Sequence, residues 1–462
     1  MFFKIVTILS TSICLLLIAY CTFAQKLNIR KESQLTFEPK GHLLNTGQCF
    51  SKDNQWIVYD NRNLETAIPA NGTIGLVNTK TKEIRTIYST INQSEYGPGV
   101  GAATFSPVEN KVLFIHGIRN ADKENPYTYA RRTGVEVSID KPNVPEFLDA
   151  RDIIAPFTVG ALRGGTHAHS WSADGKWISF TYNDFIIDQL SKKDSSIKDL
   201  RVVAVMNNSK RVVVPGTENL ENNNGKMFSA VVTQVTDNPK WNSDEIDKAF
   251  DEGWIGTNGY LKKDGSRQKR AIAFQGNVKD KNGKTKTEVF VVDISNNISK
   301  ASPGCPLEGT ATTRPCVPAG VHQRRITFTD KGIIGPRFWL HTTPDGKWIG
   351  FLSTDEKDIV QLFLVSPNGG EIKQLTHNTS SIAGPFNFSP NGKSVAYIAD
   401  NSIYITHLEN GISERLTIKS VESEKPVGPV VWSNNGKMLA YNRYISESGH
   451  NPFLQVFVLH LN

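Results

Sequence analysis

An all-β ring of seven four-stranded blades, a β-propeller, is the fold class that this sequence predicts. Three observations predict it. A hairpin phrase recurs along the chain, a short strand signature closes the repeats, and one copy of that signature stands alone near the N-terminus.

The phrase is an aromatic or apolar residue, Ser or Thr, a spacer, Asp or Asn, Gly, Lys, and an alternating apolar run. Its clearest copies are Trp171-Ser-Ala-Asp-Gly-Lys-Trp-Ile-Ser-Phe180 and Phe388-Ser-Pro-Asn-Gly-Lys-Ser-Val-Ala-Tyr397. Trp432-Ser-Asn-Asn-Gly-Lys-Met-Leu-Ala-Tyr441 and Thr343-Pro-Asp-Gly-Lys-Trp-Ile-Gly-Phe351 match as well. Weaker copies start at Phe50 and Phe105. Asp-Gly and Asn-Gly supply the positive φ of a tight turn, and the alternating flanks are half-buried strands. A third strand follows, as in Leu362-Phe-Leu-Val365, and then a short fourth one. The fourth carries Gln or Arg, an apolar residue and Thr, as in Gln374-Leu-Thr376, Arg415-Leu-Thr417 and Arg325-Ile-Thr327. Four antiparallel strands in about 45 residues make a propeller blade.

Blades are expected to start near residues 46, 101, 167, 254, 337, 384 and 428. The fourth is degenerate: its second and third strands are read at Arg270–Gln275 and Glu288–Val292, and its first near Trp254. Long insertions are expected at about 120–161 and 207–253. The last unit ends at Leu454-Gln-Val-Phe-Val-Leu459 without a fourth strand, and Gln34-Leu-Thr36 stands ahead of the first unit. Pairing the two closes the ring and removes open sheet edges, which invite aggregation.

The N-terminal stretch reads as a targeting segment. Lys4 precedes an apolar run from Ile5 to Ala19, and Thr22 and Ala24 are small residues before a cut at Gln25. This is the pattern of a secretory signal peptide over residues 1–24, leaving one propeller over 25–462 and a periplasmic or secreted protein. The run is too short for a membrane span, and no later segment approaches one. The net charge of +7 is spread along the chain without a dense basic run, so it reads as a solvated surface rather than a nucleic-acid site. Export permits oxidation, and Cys305 and Cys316 flank a Pro/Gly/Thr-rich loop that a disulfide is expected to close. Cys49 falls inside a strand and reads as a buried thiol.

The Ser-Pro-Asp/Asn-Gly-Lys hairpins and terminal Leu-Thr strands resemble the propeller repeats of the TolB-like (WD40-like) family. The resemblance covers most of residues 34–462 and implies the fold. That family includes the periplasmic Tol component, propeller domains of serine peptidases, and carbohydrate lyases. No α/β domain of the TolB type is expected before the closing strand, and no peptidase domain after the last blade. Arg163-Gly-Gly-Thr-His-Ala-His-Ser-Trp171 has a second resemblance, to the His-bearing blade entry of oligogalacturonate lyases. Those are seven-bladed and use a divalent cation held mainly by histidines, which implies Mn or Ca here. The same segment is similar to an exported propeller family with a Gly-Gly-Thr-His-x-His blade.

The repeat also serves as a ruler. The first strand of each blade lines the central channel, and residues just before the phrase lie at its mouth. Blades six and seven present Gly384-Pro-Phe-Asn387 and Gly428-Pro-Val-Val431, mostly small or apolar. Blade three presents His167 and His169, two apart on a strand and so expected on one side. Blade one presents Gln48, and blade five Arg337 and His341. Asp60, Arg62, Asn183, Asp184, Asn442 and Arg443 fall near the same rim. Two imidazoles on one face bind a divalent metal if a third ligand converges, with Gln48, His341 or Asp184 as candidates. Such a metal polarises a uronate carboxylate, Arg163 or Arg337 clamps it, and a neutral His acts as base in β-elimination. Against this stands a structural role, since channel histidines commonly satisfy buried backbone or water.

Three functions follow as expectations: a binding module for a protein or glycan at the channel mouth, a metal-assisted carbohydrate lyase, and a Tol-like envelope component. Fold alone does not choose among them.

Overall fold

The computed structural model describes residues 26–27, 29–446 and 451–461. The expected signal segment and its cut at Ala24/Gln25 lie outside the described residues. Among those residues no helix is long and apolar enough to cross a membrane.

The turn chemistry explains the repeated phrase. In blade three the Ser172 hydroxyl donates to Asp174 Oδ1 at 2.6 Å and accepts from the Trp177 amide at 3.0 Å. Asp174 Oδ1 also accepts from the Lys176 amide, while Gly175 takes φ 66°. Ser or Thr, Asp or Asn, and Gly are therefore one hydrogen-bonded unit, which Thr343, Asp345 and Gly346 repeat in blade five. Ser389 with Asn391 and Ser433 with Asn435 repeat it in blades six and seven.

Seven antiparallel sheets result. Blade two holds Val100–Phe105, Lys111–Gly117, Arg132–Ser138 and Glu146–Phe147. Blade three holds Gly164–Trp171, Trp177–Asp184, Val202–Asn207 and Phe228–Val231. Blade four holds Ile246–Trp254, Ala271–Lys279, Thr285–Asp293 and His322–Arg325. Blades five and six begin at His341–Thr342 and Asn387–Phe388. In blade one, Trp56–Asp60, Thr73–Asn78 and Ile84–Ser89 form the sheet. Its first strand is reduced to two bridges, Leu43 with Asp60 and Phe50 with Ile57.

Closure follows the expected strand. Glu32–Gln34 pairs antiparallel with Phe453–His460 in blade seven, Gln34 opposite Phe457. The Leu35 amide then donates to the Val456 carbonyl at 2.8 Å. Thr36 explains the conserved chemistry of the fourth strands within this chain: its hydroxyl accepts from the Val456 amide at 2.9 Å. Thr233, Thr327, Thr376 and Thr417 accept from Val203, Val289, Leu362 and Ile403 in the same way. A second N-terminal strand, Lys26–Leu27, adds to blade six in parallel with Ser413–Arg415.

Three expectations need correction. Blade four does not start near Trp254, because its first strand runs Ile246–Trp254 and Trp254 ends it. The Asp264-Gly265 turn that interrupts the repeat there belongs to an extra hairpin, Tyr260–Leu261 with Arg267–Gln268. The two expected insertions also contain blade strands, Arg132–Ser138 in one and Phe228–Val231 in the other. Burial by neighbouring blades selects those strands, and neither carries the hairpin phrase.

Apolar clusters fill the gaps between blades. One joins Tyr59, Phe114 and Val456 of blades one, two and seven. Another joins Val203 and Phe228 of blade three to Phe274 and Phe290 of blade four. Polar side chains are thereby left to the channel and the two faces.

Candidate functional site: the channel and its cationic rim

The first strands of blades two, three and four are bulged near their midpoints. Ala102, Ala168 and Asp251 take φ of 54°, 52° and 52°, each inside a break in register with the second strand. A bulge adds one residue and resets side-chain alternation. His167 and His169 flank Ala168, so the expected same-face pair does not form as a chelate. His167 Nε2 lies 3.1 Å from Asn183 Oδ1, and its ring sits 5.7 Å from that of Tyr129. His169 Nε2 lies 2.9 Å from Thr166 Oγ1, with its ring against Phe180.

The other expected ligands are committed elsewhere. Gln48 spans to blade three, donating to the Trp171 carbonyl at 2.9 Å and accepting from the Trp171 amide at 3.1 Å. Asp184 accepts from Arg163 and Tyr182 and caps the helix Phe185–Ser191 through the Ile187 amide. His341 is half-buried with its ring against Phe386, and desolvation pushes its pKa down to about 4. Among the described residues no group of three or more His, Cys, Asp or Glu side chains is placed to hold a metal ion. The donor set His167, His169, His341 and Gln48 therefore does not fit a histidine-held Mn or Ca, and no step is derived through one.

Arg163 is not a substrate clamp. It is 1 % exposed, bonds Asp184 at 2.9 Å, and donates to the carbonyls of Thr310 and Thr313. Those carbonyls belong to the loop closed by Cys305 and Cys316, which are bonded with Cα atoms 5.6 Å apart. Arg337 stays exposed at the rim, paired with Asp251 at 2.6 Å and stacked on Phe250. Asp60 and Arg62 pair with each other, and Arg443 pairs with Glu32 of the closing strand. Asn442 bonds the Leu44 amide, so it holds blade seven to the start of blade one.

What the structure brings together instead is a cationic arc. Arg132 lies at the start of the third strand of blade two, 4 % exposed, with its guanidinium over Tyr127 and Tyr129 at 5.0 and 4.6 Å. Its ionisable neighbours include those tyrosines, Arg201, Arg62, His167 and His169; it forms no ion pair among the described residues, and its Nε has no partner. Burial and the two arginines push its pKa down. Arg201 also lies over Tyr129, at 5.2 Å, and donates from Nε to Asn183 Oδ1 at 3.2 Å. Arg337 and Lys248 continue the arc beyond Arg201. Within it His167 is held well below its usual pKa by burial, Arg132 and Arg201, so it is neutral. Asn183 Oδ1 accepts from Arg201, hence His167 carries its proton on Nε2 and its lone pair on Nδ1. Asp199, bonded to Asn183 at 2.7 Å, is pushed up to about 6 by burial.

Sequence reasoning missed Arg132, Arg201 and Tyr129, which lie outside the first strands, and Lys248, which lies in the part of blade four's first strand that the expected start near Trp254 left out. The only signal for them is charge placed just before or within a strand at the rim end of blades two to four.

Comparison with known proteins follows the geometry. A family model described as "Protein of unknown function (DUF3748)" matches residues 99–222. A protein of Escherichia coli (strain K12), "Uncharacterized protein YidR", is 37 % identical over 419 residues, covering 89 % of this chain and 95 % of that protein. Among solved structures, an oligogalacturonate lyase in complex with manganese is 11 % identical with TM-score 0.51, covering 94 % of this chain and 93 % of its own. TolB from Acinetobacter baumannii is 15 % identical with TM-score 0.36, over 88 % and 80 %. The lyase likeness shows the shared propeller fold.

Proposed function

For a chain that belongs to the family of the uncharacterized Escherichia coli protein YidR, we propose an exported binding module that takes an anionic glycan, bearing uronate-type carboxylates, at the rim of its channel. One observation carries the proposal: Arg132 is a buried guanidinium with no carboxylate to neutralise it, beside Arg201. A buried cation without a counter-ion is costly, and a ligand carboxylate removes that cost by a charge-assisted, bidentate bond. Tyr129, 62 % exposed and in contact with both arginines, adds an aromatic surface beside them for a sugar ring. The likeness in fold to a lyase named for oligogalacturonate is consistent with a carboxylated saccharide. Localisation outside the cytoplasm is part of the proposal and rests on the N-terminal pattern.

Calorimetric titration with oligogalacturonate tests it. Arg132→Met and Arg201→Met are each expected to weaken binding roughly 10- to 100-fold, the scale of one charged hydrogen bond. Binding that is absent in the native protein, or unchanged in both variants, refutes the proposal.

A second function is favoured by the neutral His167 within the arc. Its Nδ1 lone pair is free to take a proton, the task of a base in β-elimination on a uronate, although its lowered pKa weakens it for that task. Ultraviolet absorbance of unsaturated product separates the two, since a binding module releases none.

A further inference from the structure

Four cations follow one another around the rim, one from each of blades two to five. Arg132 opens the third strand of blade two, and Arg201 precedes Val202–Asn207 in blade three. Lys248 lies in Ile246–Trp254 of blade four, and Arg337 stands ahead of His341–Thr342 in blade five. Aromatic rings join them in pairs. Tyr129 contacts the guanidinium groups of both Arg132 and Arg201. Phe250 is shared by Lys248, whose Nζ is 5.2 Å from the ring centroid, and by the Arg337 guanidinium at 4.2 Å. Backbone joins the two pairs, since the Arg201 carbonyl accepts from the Ala249 amide, between Lys248 and Phe250, at 3.0 Å. The cations therefore form one continuous path across four blades.

The charge along this path is not balanced. Arg337 is paired, its Nε and Nη2 taking both oxygens of Asp251, which leaves Nη1 over. Asp247 lies with Lys279 at 4.0 Å, and Asp199 is bonded to Asn183. Arg132, Arg201 and Lys248 form no ion pair among the described residues. These cations also lie in one another's field. Burial and then Arg337 push the Arg201 pKa down, and burial, Arg337 and Arg201 push that of Lys248 down, while Asp251 pulls the other way on both. Three positive charges without counter-ions call for more than one carboxylate, and a single uronate brings one. Where the carboxylates belong to one chain, the second binds as an intramolecular event, so each contact made along the path multiplies affinity.

We propose that the rim recognises a linear polyuronate rather than a single uronate, with one carboxylate at Arg132 and Arg201 beside Tyr129 and a later one on the same chain at Lys248 and Arg337 beside Phe250. The proposal rests on the reading of the rim as a uronate site, and it makes Lys248 the residue that distinguishes a chain from a monomer.

Calorimetric titration of the intact protein with D-galacturonate and with di-, tri- and tetragalacturonate tests this. The tetramer is expected to bind roughly tenfold or more tightly than the monomer. Lys248→Met should bring that ratio below about threefold, and Lys248→Arg, which keeps the charge, should hold it near the native value. Lys248 is the position to vary, because Arg337→Met would also strip buried Asp251 of its cation. Equal affinity for monomer and tetramer in the native protein overturns the proposal. So does a ratio that Lys248→Met leaves unchanged. A tetraglutamate peptide that binds as tightly as tetragalacturonate overturns it too, because charge is then read without the sugar. Arg132→Met separates the two readings. If it weakens monomer and tetramer alike while chain length has no effect, the rim remains a uronate site and only the polyuronate inference falls. Absence of binding at every chain length removes both.

Discussion

Glu252 and Asp199 are both carboxyls raised by burial, and each makes a pH-dependent prediction of its own. Glu252 has a native pKa of about 8 against an ordinary Glu value near 4.5. Between those values the native state holds a proton that the unfolded chain has released, so stability falls as pH rises through that window. Glu252→Gln removes the effect. Denaturant melts are expected to show the variant gaining on the native protein from pH 5 to pH 8 and then running parallel to it. Asp199 is raised to about 6 and lies beside Asn183, near Arg201. As pH rises through 6 it becomes anionic and opposes an incoming carboxylate. Oligogalacturonate affinity should therefore be greater at pH 5 than at pH 7, and Asp199→Asn should flatten the difference. Residue identity alone discloses neither effect, since both arise from desolvation inside the assembled ring.

The fourth strands and the disulfide loop carry the predictions that belong to elements. Thr36 accepts the Val456 amide and donates to Gln455 at 2.6 Å. Thr36→Val keeps the shape and leaves that buried amide unpaired, a loss of about 1–3 kcal/mol in chemical denaturation. Arg163 ties the loop between Cys305 and Cys316 onto blade three through Thr310 and Thr313. Arg163→Met removes the only cation paired with buried Asp184 among the described residues and a donor to two carbonyls, so a loss of about 3–5 kcal/mol is expected. Its effect should appear in stability, with uronate affinity in the folded fraction kept, because Arg163 does not face the rim ligand. The Leu-Thr signature was legible in sequence as a strand marker. Its reason was not, because the amide that each Thr serves belongs to the neighbouring strand of its own blade.

At the scale of the molecule, closure is the decisive event. Glu32–Gln34 covers the outer edge of blade seven, and Lys26–Leu27 covers that of blade six. Deleting residues 26–36 exposes both edges, and exposed edges recruit other chains. Light scattering should show concentration-dependent association of the truncated protein, and its thermal transition should lose cooperativity. The ring also sets where charge accumulates. Arg132, Arg201 and Lys248 come from three blades, and only their arrangement around one channel makes an arc.

The sequence by itself determined the blade count, the hairpin turns and the strand that closes the ring. These depend on local chemistry: Asp-Gly and Asn-Gly geometry, alternation of apolar residues, and a signature displaced to the other end of the chain. It also placed Gln48, His169 and His341 around the channel by register. The same ruler reaches Glu252 once the first strand of blade four is extended back from Trp254. Tertiary structure alone decided what those residues do. A bulge at Ala168 separates His167 from His169, the Trp171 backbone consumes Gln48, and a disulfide loop consumes Arg163. It likewise left Arg132 without an ion pair among the described residues, since a buried group's partners are set by which blades meet and not by its neighbours in the chain.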